Sequence, residues 1–101
     1  MTGYCVSDIA AITGGVLSGD GSAPVTGVVI DSRAVTPGAL FAAIPGERVD
    51  GHDYIGKAFD LGAVCCLAQR VPAGETRPVI CVPDTAAALV GLGVSATAMR
   101  P

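Results

Sequence analysis

A chain of 101 residues that is 50% hydrophobic and has no Trp makes one domain, with a core of Ala, Val, Ile and Leu. Six Lys and Arg against nine Asp and Glu give a formal charge of -3, which excludes nucleic acid binding through a basic stripe. No apolar run approaches the ~20 residues that cross a bilayer, and no basic-then-apolar leader opens the chain, so the expectation is a cytoplasmic protein with no membrane insertion. Charged residues are 15% of the chain where about 25% is usual. Either part of the surface faces a neighbour, or the composition is simply alanine-rich through genomic bias.

In chain order, Ser7 reads as the N-cap of a short helix from Asp8 to Thr13, with Ile9 and Ile12 on one face. Gly14-Gly15 ends it. Val16-Leu17-Ser18 is a candidate strand, and Gly19-Asp20-Gly21-Ser22 is turn material. Val25 to Ile30 is a β-branched strand with Gly27 as its weak point. Pro37-Gly38 marks a turn, and Leu40 to Ile44 is too short for a helix and reads as a buried strand. Helical spacing follows from His52 to Leu61, with Asp50 or His52 at its start and Gly62 past its end. Ala63 to Ala68 and Val79 to Val82 are strands on either side of a polar loop holding Pro72 and Pro78. Asp84 caps a last helix from Thr85 to about Met99, weakened at Gly91 and Gly93 by roughly 1 kcal/mol each.

The strand–helix–strand unit from Leu40 to Ala68 predicts a crossover between parallel strands. The fold class is therefore α/β: a small three-layer domain, a mixed but mostly parallel sheet with helices on its faces. Arg100-Pro101 closes the chain at a helix end without a tail, as expected of a piece of a longer protein.

Cys5, Cys65, Cys66 and Cys81 match no zinc or redox spacing and read as reduced, apolar side chains. The adjacent Cys65 and Cys66 would point to opposite faces of a strand.

Two apolar runs each end in a polar turn that carries an arginine: Asp31-Ser32-Arg33, and Gly46-Glu47-Arg48-Val49. In open α/β sheets, ligands bind beyond the carboxyl ends of the strands. If the two strands are parallel neighbours, both turns share one edge, and the helix starting near His52 aims its free N–H groups at the same place. Arg33 and Arg48 suit the oxygens of a phosphate, Ser32 offers a hydroxyl, and the glycines admit close approach. The plainer reading is an Asx turn at Asp31, a solvated tip at Glu47 and Arg48, and capping by Asp50 and Asp53. Spacing alone tilts toward that plainer reading. His52 with Asp50 and Asp53 could suggest a metal site, but such a trio at a helix start is more often a cap. No nucleophile–base set is visible, and no G-x-x-x-x-G-K-[ST] loop is present.

Taken together, the run from Val25 to Arg33, Pro37-Gly38-Ala39-Leu40-Phe41, and Gly46-Glu47-Arg48-Val49-Asp50-Gly51-His52-Asp53 resembles the N-terminal domain of the Mur ligases, the ATP-dependent amide-forming enzymes of peptidoglycan precursor synthesis. The helix ending in Gly14-Gly15, followed by Gly19-Asp20, is most like the branch that adds D-alanyl-D-alanine. The branch that adds the third amino acid shares Asp31-Ser32-Arg33 and is the near alternative. The resemblance runs from Val6 to about Met99.

It implies a domain that holds the UDP end of a UDP-N-acetylmuramoyl peptide. The implied contacts are Ile30, Ser32 and Glu47-Arg48-Val49, with Asp31 and Arg33 as supporters. It also implies that ATP and Mg²⁺ bind outside this chain, on a downstream ATP-binding domain that is its partner, so that this stretch alone is inactive. The family usually has an acidic residue where this chain has Ala39, which reads as a surface variation. A non-catalytic interaction module of the same fold is the alternative from a different class.

Overall fold

The computed structural model describes residues 4–45 and 50–92. In chain order they form α1 (Val6–Thr13), β1 (Val16–Ser18), β2 (Gly27–Val29), a 3₁₀ turn at Ser32–Ala34, β3 (Ala39–Ala42), a second 3₁₀ turn at Gly51–Tyr54, α2 (Ile55–Asp60), β4 (Cys65–Ala68), β5 (Val79–Cys81) and α3 (Thr85–Gly91). The strands make one sheet in the order β1-β5-β4-β3-β2. β2, β3, β4 and β5 run parallel, and β1 lies antiparallel on β5. This is the mixed, mostly parallel sheet that the apolar runs and their spacing predict.

Three layers follow from which side each strand residue faces. Leu40, Ala42, Cys65, Leu67 and Ile80 pack with Val6, Ile9 and Leu89, so α1 and α3 cover one face. Phe41, Ala43, Cys66 and Ala68 pack with Ile55, Ala58 and Phe59, so α2 covers the other. β3 and β4 are buried along their whole length, as strands covered on both faces must be. Cys65 and Cys66 do fall on opposite faces. Burial pushes the Cys65 thiol up to about 12 and raises that of Cys66 further, which keeps both as inert apolar side chains.

Several local expectations are corrected. α1 starts two residues earlier than predicted and is capped at Cys5 rather than Ser7. The Asp8 carboxylate reaches back to accept the Cys5 N–H at 2.9 Å, closing the first turn around Cys5. The strand predicted from Val25 is shorter, because the Val25 N–H donates to the Tyr4 carbonyl instead of entering the sheet ladder. The helix predicted from His52 begins as the 3₁₀ turn and becomes α-helical at Ile55. α3 runs from Thr85 to Gly91, and the part of its predicted extent from residue 93 onward lies outside the described residues.

Ala39 is not a surface position: it is 1% exposed, in the core under α2. An acidic side chain there would be buried against Phe41 and Ala58 rather than solvated, so alanine at this position is a core choice.

Candidate functional site

Parallel pairing of β2 with β3 in the register Val28↔Leu40 and Val29↔Phe41 sends both strands out at the same edge. The segment after β2 is well defined. Ile30 is half-buried against the α1/α3 face of the core. Asp31 caps the 3₁₀ turn, its carboxylate accepting the Arg33 backbone N–H at 2.9 Å. The same carboxylate takes the Arg33 guanidinium through Nε at 3.1 Å and Nη2 at 2.8 Å. Ser32 is 7% exposed, tucked under the edge, whereas the Arg33 side chain is 82% exposed.

The Arg33 side chain, then its backbone N–H, hold the Asp31 carboxyl at about 2 against an ordinary 3.8, with a smaller contribution from the Lys57 ammonium. A carboxyl lowered on folding stabilises the fold above its unfolded value, and that contribution fades as pH falls from about 4 through about 2. A carbon-13 titration of Asp31 is expected to show a midpoint near 2. In Arg33→Met the midpoint should climb back toward the ordinary aspartate range.

The segment after β3 carries the other predicted contacts. Glu47, Arg48 and Val49 lie outside the described residues. Their flanks do not. The chain leaves β3 through Ile44 and Pro45 and is back at Asp50-Gly51, where the Gly51 N–H donates to the Ile44 carbonyl at 2.9 Å. Both ends of the segment therefore stand at the edge where Ile30, Asp31, Ser32 and Arg33 emerge. A Cβ on Gly51 would sit 2.7 Å from the Ile44 nitrogen and 3.0 Å from its carbonyl oxygen. Those are backbone atoms that cannot swing aside, so Gly51→Ala should cost about 1–3 kcal/mol of stability, read from the urea midpoint.

One network at this edge was not foreseen. The side chain of His52 is 2% exposed, with Nδ1 2.7 Å from Asp50 Oδ1 and Nε2 accepting the Gln69 N–H at 2.9 Å. Asp50 Oδ2 takes Arg70 Nη2 at 3.1 Å, and the Gln69 side-chain oxygen accepts the Thr85 N–H at 3.1 Å. The backbone N–H of His52, followed by its side chain and then Arg70, holds the Asp50 carboxyl well below the usual carboxylate range. The loops after β3, β4 and β5 are thus tied together. Gln69 and Thr85 could have been found by applying the strand-end rule to every parallel strand rather than to two.

Both ring nitrogens of His52 are engaged, which answers the metal question raised by its neighbours in favour of a capping and tying role. Among the described residues no group of three or more His, Cys, Asp or Glu side chains converges to hold a cation. A separate apolar groove of about 260 Å³ runs between α1 and α3, lined by Ile12, Val82, Pro83 and Ala87 among others. No helix of the described residues is long and apolar enough to cross a membrane.

A small mostly parallel α/β domain with an Asp-Ser-Arg turn at the carboxyl end of one of its parallel strands is the class this geometry defines. The profile of the Mur ligase family, catalytic domain, matches residues 24–93. The chain belongs to the Mur ligase family, and its fold is that of the family's N-terminal domain. It is 44% identical over 96 residues to the UDP-N-acetylmuramoyl-L-alanyl-D-glutamate–2,6-diaminopimelate ligase of Chlorobaculum tepidum, covering 89% of this chain and 19% of that protein. It is 47% identical over 100 residues to the UDP-N-acetylmuramoyl-tripeptide–D-alanyl-D-alanine ligase of Mycobacterium bovis, covering 93% of this chain and 19% of that protein. Among solved structures, the UDP-N-acetylmuramoylalanyl-D-glutamyl-2,6-diaminopimelate–D-alanyl-D-alanyl ligase of Acinetobacter baumannii superposes with a TM-score of 0.79 at 25% identity, over 89% of this chain and 20% of that one. The chain spans about a fifth of the length of these relatives.

Proposed function

We propose that this chain is the substrate-recognition domain of an ATP-dependent ligase of peptidoglycan precursor synthesis, holding the UDP moiety of UDP-N-acetylmuramoyl-tripeptide while D-alanyl-D-alanine is added. The observation that carries the reading is the shared edge: the segments after Ile30 and after Ile44 leave parallel neighbouring strands side by side. Ile30, Ser32, Glu47, Arg48 and Val49 contact the nucleotide in this reading, and Asp31 holds Arg33 toward it. ATP and Mg²⁺ bind on a downstream domain of the cytoplasmic full-length protein, so this stretch alone turns nothing over. The likeness to the Mycobacterium bovis ligase supports the D-alanyl-D-alanine branch. The likeness to the Chlorobaculum tepidum ligase supports a second reading, the same domain in the enzyme that adds the third amino acid.

An acceptor assay on the full-length protein separates them. With ATP, Mg²⁺ and UDP-N-acetylmuramoyl-tripeptide, ADP release should depend on D-alanyl-D-alanine. Release only with the UDP-N-acetylmuramoyl-dipeptide and a third amino acid selects the second reading. Release with neither pair contradicts both and favours a non-catalytic interaction module.

A further inference from the structure

Among the described residues the arginines are fastened to carboxylates: Arg33 on Asp31, Arg70 on Asp50, and Arg77 on Glu75 and Asp60. Lys57, the only lysine of the chain, is placed differently. The buried side of α2 is Ile55, Ala58 and Phe59. At roughly 3.6 residues per turn, exposed Lys57 falls on one flank of that side with Tyr54 and Leu61, and Asp60 falls on the other. The Asp60 flank meets Arg77, whose guanidinium lies 4.5 Å from the centre of the Phe59 ring. The Lys57 flank faces the segment after β2. There α2 packs against the Ser32–Ala34 turn, and the Gly62 carbonyl just past the helix accepts the Gly38 N–H at 3.0 Å.

Lys57 therefore stands beside Asp31 and Arg33. It is near enough to add to the Arg33 side chain and backbone N–H in holding the Asp31 carboxyl down. It acts on that carboxylate through space, because both Asp31 oxygens already accept from Arg33. Asp31 takes the Arg33 Nε hydrogen and one on Nη2. The second Nη2 hydrogen and both on Nη1 are left over, on a side chain that is 82% exposed.

We propose that Lys57 is a further binding residue for the diphosphate of the nucleotide: its ammonium and the open end of the Arg33 guanidinium stand on either side of the Ser32 turn and face the ligand together. The proposal rests on the nucleotide reading and names the part of the ligand that this side of the edge takes. Its physical basis is charge. Asp31 cancels the charge of Arg33, so that pair offers direction with little net attraction. Lys57 adds a positive charge that Asp31 does not cancel, on a flexible stem that can follow a phosphate oxygen.

Displacement calorimetry on the full-length protein is the test, with UDP-N-acetylmuramoyl-tripeptide and with UDP as probes. Lys57→Met keeps the stem and removes the charge at an exposed position. It should weaken both ligands alike, about fivefold at low salt, the size of one net hydrogen bond. The difference from wild type should close at about 1 M salt, where the screening length is about 3 Å. Lys57→Arg should keep most of the affinity, and thermal unfolding should be the same in both variants.

Wild-type affinity for UDP in Lys57→Met, alongside a loss in Ser32→Ala, overturns the role of the lysine and leaves the nucleotide reading standing. A loss confined to the tripeptide substrate assigns Lys57 to the peptide carboxylates and overturns the diphosphate contact. A loss that salt does not reduce overturns it as well. Unchanged substrate affinity in both Ser32→Ala and Arg33→Met, or no displacement of substrate by millimolar UDP, overturns the nucleotide reading and the lysine's role with it.

Discussion

Leu40→Ala is expected to lower the unfolding free energy by about 2–5 kcal/mol. Leu40 is fully buried. It lies on β3, which pairs with β2 on one side and β4 on the other, and it packs in the cluster that α1 and α3 cover. The cavity left by truncation is enclosed by Ile9, Leu67 and Leu89 side chains that belong to different elements, so the surroundings cannot collapse into it without moving a helix. Urea unfolding gives the measurement. Val16→Ala on the edge strand β1, 70% exposed, is the matched control and should stay within about 0.5 kcal/mol. Equal effects at the two positions would mean that Leu40 is not packed in the core between the sheet and the α1/α3 layer.

Arg48→Ala in the full-length protein should weaken binding of the nucleotide substrate about tenfold to a hundredfold, the range set by losing one hydrogen bond to a charged group, roughly 1.5–3 kcal/mol. On the proposed reading Arg48 sits between flanks that the Ile44–Gly51 bond and the Asp50 contacts hold at the edge where Ser32 emerges. Arg48→Lys keeps the charge and loses the planar fork, so it should recover only part of the affinity. Thermal stability should be unaffected in both. Should Arg48→Ala melt the domain while substrate binds as before, the arginine is part of the scaffold and the assignment is reversed.

The elements and their order were legible in the sequence because each apolar run is short and bounded by glycine, proline or an Asx residue. Leu40 to Ile44 and Ala63 to Ala68 are too short for helices, and the spacing of Ile55, Ala58 and Phe59 between them is helical. That pattern yields a parallel crossover from β3 to β4, whereas the shared edge of Ile30 and Ile44 depended on β2 also lying parallel beside β3, which the pairing shows. What escaped the reading depends on reach through space. Ser7 has the better capping side chain, but the Asp8 carboxylate lies three residues past Cys5 and settles the cap there. Ala39 looks like an exposed strand start until α2 is laid over it. His52 and Gln69 are 17 residues apart, and no local pattern links a ring nitrogen to a backbone amide at that distance. The turn after β2 was legible as an Asx-type turn, and the hydrogen bonds that tie Asp50, His52, Gln69 and Thr85 together were not.

Amide shift mapping tests the central claim most directly. UDP-N-acetylmuramoyl-tripeptide is titrated into the nitrogen-15-labelled protein, and every amide is followed. The account predicts perturbations concentrated at Ile30 to Arg33 and at Glu47 to Val49, with smaller ones at Asp50, His52 and Gln69. Perturbations centred instead on Thr26, Gly38, Val64 and Val79, at the opposite ends of the same strands, would contradict it.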